Sequence, residues 1–184
     1  MKYIKTYLVL AIAVLGFSSL NVSAQTYRDT GNAASQPIER QVFKQINRLP
    51  YYGLFDSISY KVEGSTVTLY GKVNNGINKS SAERVVKRIP GVEHVVNNIE
   101  ILPPSSFDDS IRYQVAQSFA RTSLYRYMHP VNPSVRIIVQ NGHITLEGYV
   151  ANRGDYNLMN ILANTATGSF SVKNNLVVEK EINH

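Results

Sequence analysis

The sequence of 184 residues contains no cysteine. Without this residue the chain can form no disulfide bond, carry no lipid-modified N-terminal cysteine and offer no thiolate ligand to a metal ion. Any domain that it forms must therefore be stabilised by its own hydrophobic core. We accordingly expect neither a lipoprotein, nor a disulfide-rich scaffold, nor an enzyme with a nucleophilic cysteine.

Other patterns that mark catalytic or metal-binding sites are also missing. The sequence has no G-x-S-x-G motif and no glycine-rich loop that could bind phosphate. The only adjacent acidic pair, Asp108-Asp109, lies at a predicted helix start, where helix capping explains it better than acid–base catalysis. The histidines lack metal-ligand spacing and are interpreted as solvated: His94, His129, His143 and His184. We predict a protein that is not an enzyme and uses neither cofactor nor metal.

Positive charge is only slightly in excess. The formal net charge of the full sequence is +6. It falls to +4 (6 − 2) if the first 24 residues, which contain Lys2 and Lys5, are removed. Nucleic-acid binding would need a denser basic cluster, so no nucleic-acid partner is predicted. The mild positive charge does permit attraction to an anionic membrane surface.

The N-terminal segment has the features of a secretory signal peptide. Two early lysines precede an apolar run at 8–17, and Val22-Ser23-Ala24 offers small residues for cleavage. An uncleaved membrane anchor is the alternative, but the apolar run is short for a transmembrane helix. We predict a signal peptide at 1–24, a mature protein from Gln25, a disordered leader at 25–34 and a periplasmic location.

A strand-like segment occurs twice in the chain. Residues 67–73 read VTLYGKV and residues 144–150 read ITLEGYV, and both alternate apolar with other side chains. The offset between them is 77 residues (145 − 68). The same offset relates further pairs: Gly71 and Gly148, Gly91 and Gly168, Asn97 and Asn174. One folding unit has therefore been duplicated, and two copies indicate a tandem domain pair rather than a solenoid.

Each copy shows the same order of predicted elements, helix–strand–strand–helix–strand. This order predicts an α+β fold of two tandem αββαβ domains, each a small three-stranded sheet with two helices on one face. We assign domain 1 to 35–102, a Pro/Ser linker to 103–108 and domain 2 to 109–184. Ser106 or Asp108 is expected to cap the first helix of domain 2. The buried stripe of its second helix is predicted to contain Leu158, Ile161 and Leu162.

Structural roles are expected for the repeated glycines and asparagines. A glycine inside a strand, as at Gly71 and Gly148, usually marks a bulge or the close approach of another backbone segment. Gly91 and Gly168 end the second helix of each copy. Strand alternation places Asn97 and Asn174 on the inward face, where we expect them to hydrogen-bond backbone groups of the helix–strand turn. A ligand-binding role is the alternative for the strand glycines and the asparagines.

One stretch has the composition of a membrane-contact surface. Near the end of the first helix of domain 2, it combines arginines with aromatic and apolar side chains: Arg121, Tyr125, Arg126, Tyr127 and Met128. Such residues can place a ring in the apolar layer and keep a polar tip in water. The alternative is that Leu124 and Tyr127 close the core while the arginines are solvated. In domain 1, residues 51–55 correspond to 128–132 at the same 77-residue offset and are the second candidate.

The two signature strands resemble the apolar-x-Leu-x-Gly-x-Val strand of the BON domain family. Residues 91–99, GVEHVVNNI, resemble the end of the same domain, and 168–176, GSFSVKNNL, resemble it less closely. The resemblance covers nearly all of the mature chain. A signal peptide followed by two such domains is similar to the organisation of two-domain envelope proteins, including osmotically inducible periplasmic ones and outer-membrane lipoproteins. It implies no catalysis. It implies binding of anionic phospholipid or a membrane surface and support of envelope integrity under osmotic or other stress. A protein–protein adaptor or chaperone-like module with an envelope protein partner is the alternative.

Overall fold

The first domain begins with the helix α1. The computed structural model describes residues 37–130 and 132–179, so the predicted signal peptide and leader lie outside the described residues. The elements of this domain follow in the expected order: α1 (Ile38–Ile46), β1 (Ser57–Glu63), β2 (Thr66–Val73), α2 (Gly76–Val86) and β3 (His94–Ile101). Strand β2 lies in the centre of the sheet, antiparallel to β1 and parallel to β3.

The second domain repeats this topology with a longer first helix. Its elements are α3 (Ser106–Ala120), a short 3-10 helix (Ser123–Tyr127), β4 (Val135–Gln140), β5 (His143–Val150), α4 (Arg153–Asn164) and β6 (Ser171–Val178). The central β5 is antiparallel to β4 and parallel to β6. The prediction of two αββαβ domains with three-stranded sheets is therefore confirmed.

Each domain has its own hydrophobic core between its helices and one face of its sheet. In domain 1, Val42 of α1 and Val86 of α2 pack with Leu69 of β2, and all three are fully buried. In domain 2, Phe119 of α3 and Met159 of α4 pack in the same way with Leu146 of β5 and neighbouring residues. The apolar residues that recur with helical and strand periodicity in the sequence thus form these two cores.

The strand glycines lie where another backbone segment approaches closely. A Cβ atom on Gly71 would lie 2.0 Å from the carbonyl oxygen of Ser57, and one on Gly148 would lie 2.0 Å from that of Ser134. Their φ angles are +122° and +112°, a region that side chains with a Cβ rarely adopt. Both observations support a structural reason for glycine at these two positions.

The inward asparagines join the last strand of each domain to its second helix. Asn97 donates to the carbonyl oxygen of Lys79 at 3.0 Å and accepts from the N–H of Ile99 at 3.2 Å. Asn174 donates to the carbonyl oxygen of Tyr156 at 3.3 Å and accepts a hydrogen bond from Leu176. Both half-buried side-chain amides therefore find hydrogen-bond partners within the protein.

Two details of domain 2 differ from expectation. Ser105, rather than Ser106 or Asp108, caps α3 by accepting from the N–H of Asp108. The carboxylate of Asp108 is buried instead against the β4–β5 turn, where it accepts from the N–H groups of Asn141 and Gly142 at 2.9 and 2.8 Å. Ile161 is 59% exposed, because the helical phase of α4 buries Met159 and Ala163 instead.

Strand β4 is buried on both faces because domain 1 covers its outer side. Arg136 and Ile138, which alternate with the core residues, are 7% and 4% exposed. The N–H of Ile137 donates to the carbonyl oxygen of Leu54 at 2.8 Å, and the ring of Phe55 meets that of Tyr113 edge-on. The two domains accordingly belong to one compact unit.

Candidate binding surfaces

The predicted membrane-contact stretch lies just beyond the end of α3. The helix ends at Ala120, Arg121 is exposed at its C-terminal cap, and the 3-10 helix follows. In this tight helix Leu124 and Tyr127 point into the core, at 0% and 7% exposure, whereas Tyr125 is 67% exposed. The structure therefore separates the five predicted residues into a surface part and a buried part.

Arg126 and Tyr127 belong to a hydrogen-bonded network around Asp155. The Asp155 carboxylate accepts from the guanidinium of Arg126 and the hydroxyl of Tyr127, both at 2.5 Å, and from the amide of Asn152 at 2.7 Å. Burial alone would raise the pKa of Asp155, but the hydrogen bonds from Tyr127 and Arg126 outweigh burial and lower that pKa. This network holds the 3-10 helix against the start of α4.

The exposed residues of the stretch are Arg121, Tyr125 and Arg126. Met128 is half-buried and packs against the domain 2 core. The Arg126 side chain is 47% exposed, but its guanidinium is already paired with Asp155.

A cleft of about 530 Å³ opens between the two domains. Its wall from domain 1 includes Phe43, Ile58 and Tyr60, and its wall from domain 2 includes Tyr149 and Arg136. Phe43 and Tyr149 are 58% and 52% exposed. The cleft is mainly apolar with a few polar groups, as is typical of small-molecule sites at domain interfaces.

The buried guanidinium of Arg136 lies at this cleft. It donates to the carbonyl oxygen of Gly53 at 2.7 Å and to the side-chain oxygen of Asn132 at 3.2 Å. Its central carbon lies 4.1 Å from the centre of the Tyr52 ring, a cation–π contact. Burial lowers the pKa of Arg136, and the nearby Tyr52 and Asp56 partly oppose that effect.

The described residues contain no candidate for a membrane-spanning helix or a metal site. None of their helices is long and apolar enough to cross a membrane. Within the same residues, no group of three or more histidine or acidic side chains could hold a metal ion.

Comparison with protein-family models decides the classification. The model of the BON domain matches the sequence twice, at residues 35–103 and 108–180. The chain belongs to the BON domain family. This family is associated with phospholipid binding and envelope stress and is generally non-enzymatic.

Comparisons with individual proteins add little. The chain is similar to a solved structure of CdsD, a structural protein of the type III secretion system of Chlamydia trachomatis, at 13% identity and a TM-score of 0.31, over 79% of this chain and 95% of that one. A structure of the C-terminal domain of the same protein gives the same identity and TM-score over 76% and 96%. No curated protein matches the sequence significantly.

The candidate stretches of the two BON domains differ in what they contact. In the second domain, Arg121 and Tyr125 are exposed. In the first, Tyr52 is buried and Leu54 and Phe55 pack against the second domain, so that only Tyr51 of the aromatic residues is largely exposed. Residues 51–55 therefore serve mainly to dock the domains and are a poor second candidate for membrane contact.

Sequence reasoning missed Arg136 and the cleft. The segment 135–139 reads VRIIV, and its alternation indicates a strand with one solvated face. The only indication in the sequence was Ile138, an apolar residue on the face that the alternation predicts to be solvated. An apolar residue there suggests that the strand is buried on both faces. The identity of the cover, a loop some 80 residues earlier in the chain, follows only from the tertiary structure.

Proposed function

We propose that this BON protein is exported to the periplasm and binds anionic phospholipid at a membrane surface, where it supports envelope integrity. The association of the family with phospholipid supports the ligand class. The observation that carries the proposal is the exposure of both Arg121 and Tyr125 on the second domain. The protein acts by binding and not by catalysis.

The proposed contact is weak and reversible. An arginine near an anionic surface contributes about 1 kcal/mol at physiological ionic strength. An exposed tyrosine adds apolar area at the headgroup boundary while its hydroxyl stays in water. Without the network around Asp155, Arg126 would be a third contributor, but its existing ion pair with that carboxylate reduces its value.

Co-sedimentation with vesicles tests this proposal. Mature protein is mixed with vesicles of phosphatidylcholine alone and with vesicles containing increasing fractions of phosphatidylglycerol. We expect the bound fraction to rise with the anionic fraction and to fall between 50 and about 500 mM salt, since exposed charge attraction is screened. Equal binding to neutral and anionic vesicles, or no binding to either, would contradict the proposal.

An adaptor that binds an envelope protein is the second candidate. It is favoured by two exposed aromatic residues at the opposite end of α3, Phe107 at 48% and Phe170 at 71% exposure, whose ring centres are 6.2 Å apart. An adaptor predicts no vesicle association at any lipid composition. A Phe170→Ser substitution should then weaken capture of the protein partner, while Arg121→Glu should not.

A further inference from the structure

Among the described residues, the buried guanidinium of Arg136 forms no direct ion pair with a carboxylate, although the charge of Asp56 lies close by. By contrast, Arg112 pairs with the carboxylate of Asp109, and Arg126 pairs with that of Asp155. Arg136 is 7% exposed and has no carboxylate within 4.0 Å among the described residues. A buried charge is costly unless it is paired, so this guanidinium is suited to receive an anionic group.

The protein partners of Arg136 leave part of its hydrogen-bonding capacity unused. A guanidinium has five N–H donors, and two hydrogen bonds join Arg136 to described atoms, both of them neutral acceptors. The nearby carboxylates accept hydrogen bonds from neutral donors. Asp56 accepts from Gly53, Asn74 and Asn78, and Glu147, which also lines the cleft, accepts from the hydroxyl of Ser57.

The rest of the cleft suits an apolar chain. Phe43, Ile58, Tyr60 and Tyr149 present rings and an alkyl group on both sides of the opening. Two of these, Phe43 and Tyr149, are more than half exposed although they are large and apolar. The volume of about 530 Å³ lies within the range of small-ligand sites.

We propose that the cleft between the two BON domains binds a single-chain amphiphile whose anionic carboxylate pairs with Arg136 and whose chain lies along the aromatic walls. The planar guanidinium matches a carboxylate in a two-point hydrogen-bonded pair. This site is separate from the exposed stretch on the second domain and needs no membrane. It therefore goes beyond the proposed membrane association.

The test uses decanoate as the probe and calorimetric titration of the mature protein, below the concentration at which decanoate forms micelles and without vesicles. Decanol, which has the same chain without charge, and acetate, which has the charge without the chain, are the ligand controls. We expect decanoate to bind at least tenfold more tightly than decanol and acetate to show no binding. Equal affinities for decanoate and decanol, or no binding of decanoate, would overturn the proposal.

Variants locate the site. Arg136→Gln should remove the preference for decanoate over decanol, whereas Tyr149→Ala and Phe43→Ala should each weaken both ligands several-fold. Tyr125→Ala, which removes an exposed ring outside the cleft, is the matched control and should change neither affinity. If Arg136→Gln does not fold, Tyr149→Ala and Phe43→Ala still test the proposal. Unchanged decanoate affinity in both variants would place the ligand elsewhere and overturn the proposal. Failure of vesicle binding would not affect these results.

Discussion

At the scale of single residues, the repeated positions of the sequence are explained by close contacts in the fold. Gly71 and Gly148 face a backbone carbonyl that leaves no room for a side chain. Asn97 and Asn174 satisfy their own amides and bring the helix and the strand together. The residues that recur at the 77-residue offset are therefore those that meet backbone and packing requirements common to both domains.

The Gly71→Ala substitution should lower the free energy of unfolding by about 1–3 kcal/mol, as overpacking typically does. The new Cβ would meet the carbonyl oxygen of Ser57, and the backbone would be held in an unfavourable conformation. Chemical denaturation measures the change. Gly53→Ala is the control, because a Cβ there has no atom within 4 Å. A Gly71→Ala curve that overlays the wild type would contradict the explanation.

The Asp155→Asn substitution should destabilise the protein in a pH-dependent way. The pKa of Asp155 is lowered in the folded protein from a reference value of 3.8. Its charged form therefore contributes stability that is fully present well above pH 3.8 and is lost as pH falls through the lowered folded-state value. The difference in unfolding free energy between wild type and variant should be largest near pH 7 and shrink below about pH 3.8. Denaturation at several pH values should reveal this trend, and a constant difference would argue against it.

At the scale of elements, most of the fold could be predicted from the sequence, but the domain contact could not. Period-two alternation in 67–73 and helical spacing in α1 each follow from burial of one face, so local pattern suffices. The apolar residues of α4 are compatible with two different buried faces of the helix. Tertiary packing selects the face that leaves Ile161 exposed. For 51–55, the aromatic composition suggested exposure, whereas the segment is covered by β4 of the other domain. Only the three-dimensional arrangement distinguishes these alternatives.

The contact between the domains predicts a coupling that hydrogen exchange can measure. The amide of Ile137 in domain 2 donates to Leu54 of domain 1, so its protection depends on the other domain. Phe55→Ala, which removes a half-buried ring from this contact, should accelerate exchange at Ile137 by about tenfold, equivalent to 1.4 kcal/mol. The control is Tyr51→Ala, which removes a neighbouring ring that is 62% exposed. Similar protection of Ile137 in both variants would mean that Phe55 does not maintain the contact.

At the scale of the whole molecule, docking of two similar domains gives them different surfaces. The first domain uses residues 51–55 to cover β4, while the second domain leaves Arg121 and Tyr125 exposed. The same docking creates the cleft at Arg136. The composition of the sequence indicated the stretch of five residues that contains Arg121 and Tyr125. It did not indicate which side chains of the short 3-10 helix point into the core.

The measurement that tests the central claim most directly is vesicle co-sedimentation of two charge-reversal variants. Arg121→Glu changes the proposed contact, and Arg88→Glu makes the same change in net charge at an exposed site on the first domain. Reversal at a membrane contact should cost about 2 kcal/mol, or roughly thirtyfold in affinity for anionic vesicles. We predict that Arg121→Glu loses most of its binding and that Arg88→Glu stays close to wild type. Equal losses in the two variants, or none in either, would contradict the claim that the second domain forms the contact.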